Sequence, residues 1–370
     1  MVDAIVAGHL CIDIIPDLAV LVPGQFDIAF RPGRLVQSGP AQLATGGAVS
    51  NTGLALHLLG IKTRLIARVG QDQLGKALRQ SIDDQGAGLA EGLIHCAGSS
   101  TSYSIVISPP GSDRRFLHHP GANDDFSARD VTDEALQDVR LFHFGYPPLM
   151  ATMYSNNGQQ LLELFQRVKS CGLTTSLDMA YPDPDSPAGR ADWPSILRQV
   201  LPYTDVFVPS LDEISYMLWR KTDVAPSAGL LTKVSGELLG MGAKMTLIKL
   251  GNRGLYLRTA NRSALEDLGA AAPGDIDAWA DFEAWRPCFK VHVVGTTGSG
   301  DVTVAGFLAA LLRSLPPEEA LTAALAVGAC CVEAVDALGG IRSWEETWQR
   351  IRSGWARNPE PGQFEPIIRK

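Results

Sequence analysis

Basic residues are in deficit: 32 Lys and Arg stand against 40 Asp and Glu, for a formal charge of −8 and a pI near 5.4. A nucleic-acid surface needs clustered Lys and Arg, so no nucleic-acid partner is expected. Long apolar runs are missing too. The richest stretch, 320–332, is too short to span a bilayer and is closed by Glu333. Residues 1–8 lack the basic head and long apolar run of a signal peptide. The expectation is a cytoplasmic protein with no membrane partner. Six cysteines, at 11, 96, 171, 288, 330 and 331, include no Cys-x-x-Cys pair, and read as reduced, buried thiols. The seven histidines contain no His-x-x-x-His. No Gly-x-Ser-x-Gly occurs, which leaves a serine hydrolase without support. There is no Gly-Lys-Ser/Thr P-loop either, so phosphate chemistry would need another kind of anion site.

What the chain does have is core and alternation. Of its 370 residues 45% are hydrophobic and 19% charged, enough for a sizeable buried interior. Short apolar runs at 4–7, 62–69, 141–144, 174–177, 206–208 and 246–250 are separated by helical stretches. That alternation predicts a mostly parallel sheet covered by helices on both faces. Two stretches break it. Residues 16–42 carry Pro, Gly and alternating residues without a helical period, and 102–108 and 114–118 read as two strands joined by Pro109-Pro110-Gly111. Together they suggest a small sheet projecting from the main one. Residues 259–287 show no clear period and read as an insertion.

The most informative stretch is Gly295-Thr296-Thr297-Gly298-Ser299-Gly300-Asp301, read as a turn between a strand at 291–294 and a long apolar helix. Small residues let a ligand approach the backbone, and amides at a helix start favour negative charge. Asp301 adds an acid where a phosphate would sit. A phosphoryl group moving to a hydroxyl needs donors for its oxygens and a base for the proton. A simple helix cap is the alternative role for Asp301. Asp13, Gly46-Gly47, Asn51 and Gly70-Gln71-Asp72 also follow predicted strands or open helices, where ligands of open α/β sheets bind. Asp13, Asn51 and Asp72 offer the polar groups a polyol requires, although Asn51 and Asp72 also suit ordinary helix-start and loop roles. Glu213, after Pro209-Ser210-Leu211-Asp212, could be a dipole partner, and 249–254 alone is an ordinary hairpin.

Taken in order, these motifs resemble the ribokinase-like (PfkB) family of carbohydrate kinases over nearly the whole chain apart from 259–287. The resemblance rests on Gly46-Gly47-x-x-x-Asn51, Gly70-x-Asp72-x-x-Gly75, Gly121-Ala122-Asn123, Gly251-x-x-Gly254 and Gly298-Ser299-Gly300-Asp301-x-x-x-Ala305-Gly306. It implies an α/β fold, a three-layer α/β/α sandwich within one domain over 1–370, with a β lid from about 14–43 and 98–120. It also implies transfer of the ATP γ-phosphoryl to a hydroxyl of a sugar or similar alcohol. Asp301 would be the base, with Gly298, Ser299 and Gly300 as the anion hole. Asp13, Gly46, Gly47 and Asn51 would hold the sugar. Gly251, Gly254 and Thr297 would lie on the nucleotide side, and Glu213 would guide Mg2+ through water. The chain departs from the family pattern at Gly295, where an Asp associated with a monovalent cation is usual. It departs also at Ser210 for Asn, at Asp178-Met179-Ala180, which lacks the Asn of Asp-x-Asn, and at Thr303 for Phe. Dependence on a monovalent cation is therefore open. So are a nucleoside acceptor, stacked on Phe26, Phe30, Tyr103 or Phe116, a relative that binds without catalysis, and a homodimer formed through the lid.

Overall fold

The computed structural model describes residues 2–22, 28, 30–111, 115–359 and, as backbone, 368–369. Strands β1 (Ala4–Gly8) and β2 (Cys11–Pro16) are followed by β3 (Ala41–Gly46), α1 (Ala48–Leu58), β4 (Thr63–Gly70) and α2 (Gln73–Asp83). Next come β5 (Leu93–Cys96), β6 (Tyr103–Ile107), β7 (Arg115–His119), β8 (Leu141–Gly145), α3 (Gln159–Ser170) and β9 (Thr174–Asp178). The chain continues through α4 (Trp193–Val200), β10 (Val206–Phe207), α5 (Leu211–Trp219), α6 (Ala228–Gly240), β11 (Met245–Lys249), β12 (Leu255–Thr259) and β13 (Glu283–Arg286). It ends with α7 (Ser299–Leu312), α8 (Pro317–Cys331), α9 (Trp344–Arg352) and β14 (Ile368–Arg369).

The main sheet runs β14-β13-β12-β11-β10-β9-β8-β1-β4-β5. It is parallel from β5 to β11 and antiparallel beyond. Its inner strands are buried on both faces: every residue of β1, β8 and β9 is buried, which is why β1 and β8 read as largely apolar rather than alternating. Strand β9, Thr-Thr-Ser-Leu-Asp, instead buries hydroxyls that bond to backbone and to Asp205, such as Thr174 to the Leu268 carbonyl and Thr175 to the Tyr203 carbonyl. Helices α1, α7 and α8 contribute to the core on one face, and α3 to α6 to the core on the other. Helix α3 turns Leu161, Leu164, Phe165 and Val168 inward at the spacing of one helical face. Helix α7 is apolar nearly all round because it lies between the sheet and neighbours on two sides; residues 304–312 are all buried. Among the described residues no helix is long and apolar enough to cross a membrane.

A second sheet, β3-β2-β6-β7, leaves the first where β1 passes into β2. Its outer parts are open: Leu43, Phe116 and Leu117 are each more than half exposed. Of the two stretches expected to form it, residues 23–27, 29 and 112–114 lie outside the described residues, Phe26 and the start of the returning strand at 114 included.

One local expectation is corrected. Residues 291–294 form no strand. The Val294 and Gly295 amides donate instead to the Val332 carbonyl at the end of α8, at 2.8 and 3.3 Å. The helix terminus supplies the acceptors a neighbouring strand would have supplied, and an apolar run was no guide to which would win. Between β12 and β13 the chain makes two short helical turns, Arg262–Leu265 and Ile276–Trp279. They bury Leu265, Leu268 and Trp279, with the Trp279 ring edge-on to Phe307 of α7 at 6.0 Å.

Candidate active site

Strand order reverses at β1, which has β8 on one side and β4 on the other. A cleft opens at the carboxyl ends of strands where order reverses, and α7 starts there. Its first turn is set by Gly298, whose φ of 70° is left-handed; a Cβ there would stand 2.4 Å from that of Ala337. Only glycine makes this turn without strain.

Asp301, in the first turn of α7, is 2% exposed and lines a polar cavity of about 650 Å³ with Tyr146, Ser210, Glu213, Lys249 and residues 298–300. Its Oδ2 accepts from Asn51 Nδ2 at 2.9 Å. The Tyr146 hydroxyl lies 2.7 Å from Oδ1 and 2.8 Å from Oδ2. Burial pushes the Asp301 carboxyl above its ordinary range, against the pull of Asn51, Lys249 and Tyr146 toward the charged form. The carboxylate is thus held by donors, sits in the first turn of a helix, and lines open space.

Lys249 is the balancing cation. Its Nζ lies 2.6 Å from Asp178 Oδ1, and burial of the pair is close to complete, with side-chain exposures of 13% and 0%. Asp178 Oδ2 is buried without a hydrogen-bond partner among the described residues. Burial raises Asp178 to about 7 despite Lys249, while Asp178 and then Glu213 hold the ammonium well above the usual lysine range in spite of burial. Glu213 is also raised by burial. It closes a capping box at α5: Ser210 N donates to Glu213 Oε2 at 2.7 Å, and Glu213 N to Ser210 Oγ at 3.2 Å. Serine at 210 therefore performs the cap, and Glu213 also lines the polar cavity.

A second, more apolar cavity of about 280 Å³ adjoins the first, lined by Leu255, Phe289, Val291, Val293, Leu325 and Val332, among others. Lys249, Gly251, Asn252, Thr296, Ser299 and Gly300 line both. Gly254 lines the apolar one, with φ of 105° and its Cα packed against the Arg286 carbonyl. Thr297 lines neither cavity; its neighbour Thr296 lines both.

On the lid side, Asp13 and Asn51 are 9% and 5% exposed. Gly46 packs on the Asp13 carboxylate, where a Cβ would come within 2.6 Å of Oδ2, and a Cβ at Gly47 (φ 88°) would meet His9 Nδ1 at 2.6 Å. Burial, together with the bonds from Cys11 and Ser104 that oppose it, leaves Asp13 raised. The Asn51 amide donates to the Gly47 carbonyl at 3.0 Å and its side chain to Asp301, so these groups form one wall from the lid sheet to the Asp301 carboxylate. Asp72 lies apart from it, capping α2 through Gly75 N at 2.8 Å and bonding Thr101. Tyr103 stacks on His119 at 5.4 Å; Phe30 and Phe116 are exposed.

Sequence reasoning passed over Tyr146, Lys249 and His9. Tyr146 and His9 each follow the last residue of an inner parallel strand, the position the switch-point rule marks, and this was the available signal. Lys249 gave none: it looked like one residue of a hairpin. His9 stacks near His118 (5.2 Å) and Tyr146 (6.2 Å), and burial followed by His118 lowers it to about 3, so it is neutral.

Among the described residues no three His, Cys, Asp or Glu side chains are placed to hold a metal directly. The donor set fits a hydrated magnesium ion instead, since Mg2+ keeps most of its waters and uses few protein carboxylates. At Gly295 there is no carboxylate, and a Cβ would lie 2.7 Å from both the Ala334 and Val335 carbonyl oxygens.

The chain is similar to known proteins in sequence and in fold. An uncharacterized sugar kinase of Archaeoglobus fulgidus is 24% identical over 78% of this chain and 98% of its own. The structure of Arabidopsis thaliana ribokinase complexed with ribose and ATP superposes with a TM-score of 0.72, at 20% identity, covering 94% of this chain and 98% of that one. The fructokinase of Xylella fastidiosa with bound ATP gives 0.70 at 20% identity, over 95% and 98%. These likenesses carry the ribokinase fold. The model of the pfkB family carbohydrate kinases matches residues 3–343, and with the whole of β1 to α8 inside that match, the chain belongs to the pfkB family of carbohydrate kinases.

Proposed function

We propose that this carbohydrate kinase transfers the γ-phosphoryl group of ATP to a hydroxyl of a sugar or sugar-like alcohol, with Asp301 as general base. The observation that carries the reading is the Asp301 carboxylate, buried, held by Asn51 and Tyr146, and open to a cavity it shares with residues 298–300. The apolar cavity suits a nucleobase and the polar one its phosphates, with Lys249, Gly251 and Thr296 on the seam. Amides of Gly298, Ser299 and Gly300 receive the moving phosphoryl oxygens. Asp301 takes the proton of the acceptor hydroxyl as its oxygen attacks phosphorus and the bond to the β-phosphate oxygen breaks, releasing ADP. Asp13, Gly46, Gly47 and the Asn51 wall orient the acceptor.

Glu213, which lines the polar cavity, would hold a magnesium ion through water. When bound, the ion supplies charge neutralisation on the phosphate oxygens. Residues 1–370 act as one kinase unit, with segments 14–43 and 98–120 as its lid and 259–287 as an added segment. The exposed apolar Leu43, Phe116 and Leu117 suit a second copy of the chain across the lid.

The test is ADP release across a panel of sugars that includes ribose and fructose. Asp301→Asn keeps the fold and nucleotide binding and lowers kcat by roughly 10²–10⁴. Turnover within tenfold of wild type would remove the base. Tight sugar and ATP binding without ADP release in the wild type would make the chain a binding relative.

A further inference from the structure

Tyr146 is absent from the roles assigned so far, yet it makes the shortest bonds to the base. It follows β8 directly, with φ 68° and ψ 43°, a left-handed conformation that a side chain adopts only when its surroundings over-determine it. Those surroundings are identifiable. Gly145 presses on the start of α1, where a Cβ would lie 2.1 Å from that of Ala48. Pro147 and Pro148 follow, and the Tyr146 amide donates to the Asp178 carbonyl at 3.2 Å. The chain is thereby turned so that the phenol crosses the cleft floor and its hydroxyl comes within 2.7 and 2.8 Å of the two Asp301 oxygens.

A single O–H donates to one oxygen at a time, so this placement serves the carboxylate as a whole. Without the phenol, Asn51 on Oδ2 and the backbone at the helix start would hold the carboxylate less firmly. We propose that Tyr146 is a positioning residue for Asp301: its hydroxyl fixes the carboxylate plane in the free protein and keeps it fixed when the acceptor is bound. The inference rests on the reading of Asp301 as base. The other groups facing Asp301 are Lys249 of β11, Asp178 of β9, Glu213 of α5, Cys11 of β2 and Cys331 of α8. Among the described residues the side-chain donors to Asp301 are Asn51 and Tyr146, so losing the phenol leaves Asn51 and the helix start as its donors.

The variant is Tyr146→Phe in the full chain, with the ring and backbone kept. Its Asp301 carboxyl is followed by carbon-13 NMR of aspartate-labelled protein without ligands, the signal being assigned by its loss in Asp301→Asn. A donor to the charged form lowers an acid's pKa, so the midpoint should rise by about 0.5–1 unit. With the panel's best sugar, kcat should fall about tenfold, KM for ATP should stay within about twofold, and the acid limb of the kcat profile should move the same way. A purely structural tyrosine would lower activity without moving either midpoint. Midpoints unchanged within about 0.2 unit overturn the proposal, even if activity falls. Near-wild-type turnover of Asp301→Asn overturns the base and this inference together; an inactive Asp301→Asn beside an unshifted Tyr146→Phe overturns this inference alone.

Discussion

Replacing Lys249 by methionine removes the cation of the site and keeps its length. Lys249 and Asp178 are buried 2.6 Å apart, and truncating one member of such a pair leaves the other charge uncompensated, typically a loss of about 3–5 kcal/mol. Asp178 can escape part of that penalty by taking up a proton. In the wild type its carboxyl already stands at about 7, above the range of an exposed Asp, and without Lys249 it rises further. The sign follows from proton binding. A raised folded-state pKa means that the native state holds more protons than the unfolded one, so stability from this group is present at low pH and is lost as pH rises toward the folded value. Below about 7, Asp178 is neutral in both proteins and the variant lacks mainly a packed ammonium. Above it the wild type ionises beside Lys249, whereas the variant must keep its proton at about 1.4 kcal/mol per pH unit. The stability gap should therefore be small at pH 6 and wider by about 2–3 kcal/mol at pH 9.

Urea midpoints at the two pH values measure the gap. The double variant Lys249→Met with Asp178→Asn supplies the control: with no charge left to strand, it should recover most of the loss at pH 9. A gap equal at pH 6 and pH 9, or a double variant as unstable as the single one, would refute the claim that Lys249 acts by neutralising Asp178.

Glu213→Gln retains the capping box, because glutamine also accepts from the Ser210 amide, so stability should change by less than about 1 kcal/mol. The magnesium concentration for half-maximal activity should rise about tenfold, as losses around a metal usually do; an unchanged magnesium titration removes Glu213 from that role. Exchanging potassium for choline should alter the rate less than twofold (about the resolution of the assay), because Gly295 offers no carboxylate beside the Ala334 and Val335 carbonyls; a strong potassium dependence would show another route to a cation. Phe116→Ser with Leu117→Ser should shift sedimentation toward the monomer if the exposed lid strands β3 and β7 are covered by a second copy; a wild type that sediments as a monomer removes that interface.

The parts legible in the sequence were those written in local pattern. Apolar runs of β1 and β8 announced inner parallel strands, and Gly298 marked the start of α7 because a left-handed turn there tolerates nothing larger. The family model and the ribokinase fold agree with the motif order read from the chain. The strand expected at 291–294 failed for a physical reason: hydropathy reports burial, whereas strand formation depends on which acceptor lies alongside, and there it is the end of α8.

The residues that escaped are those whose meaning depends on distant parts of the chain. Asn51 and Asp301 are 250 residues apart, and Tyr146 and Asp301 are 155 apart. Each of Asn51 and Asp301 was visible because a glycine motif surrounds it; Tyr146 and Lys249 have no such frame. Lys249 becomes intelligible only with three buried carboxylates around it, Asp178, Glu213 and Asp301: burial raises all three, repulsion from neighbouring carboxylates adds to this at Asp178 and Glu213, and their charge raises the lysine against its own burial. A phosphoryl-transfer site must hold a base ionised next to a polyanion, and burial alone works against that ionisation. With Asp301 as the proposed base, the combination seen here among the described residues, the Lys249 ammonium among the acids and two neutral donors on the Asp301 carboxylate, would answer that requirement: the cation lowers the cost of the charge, and Asn51 and Tyr146 hold the carboxylate that carries it.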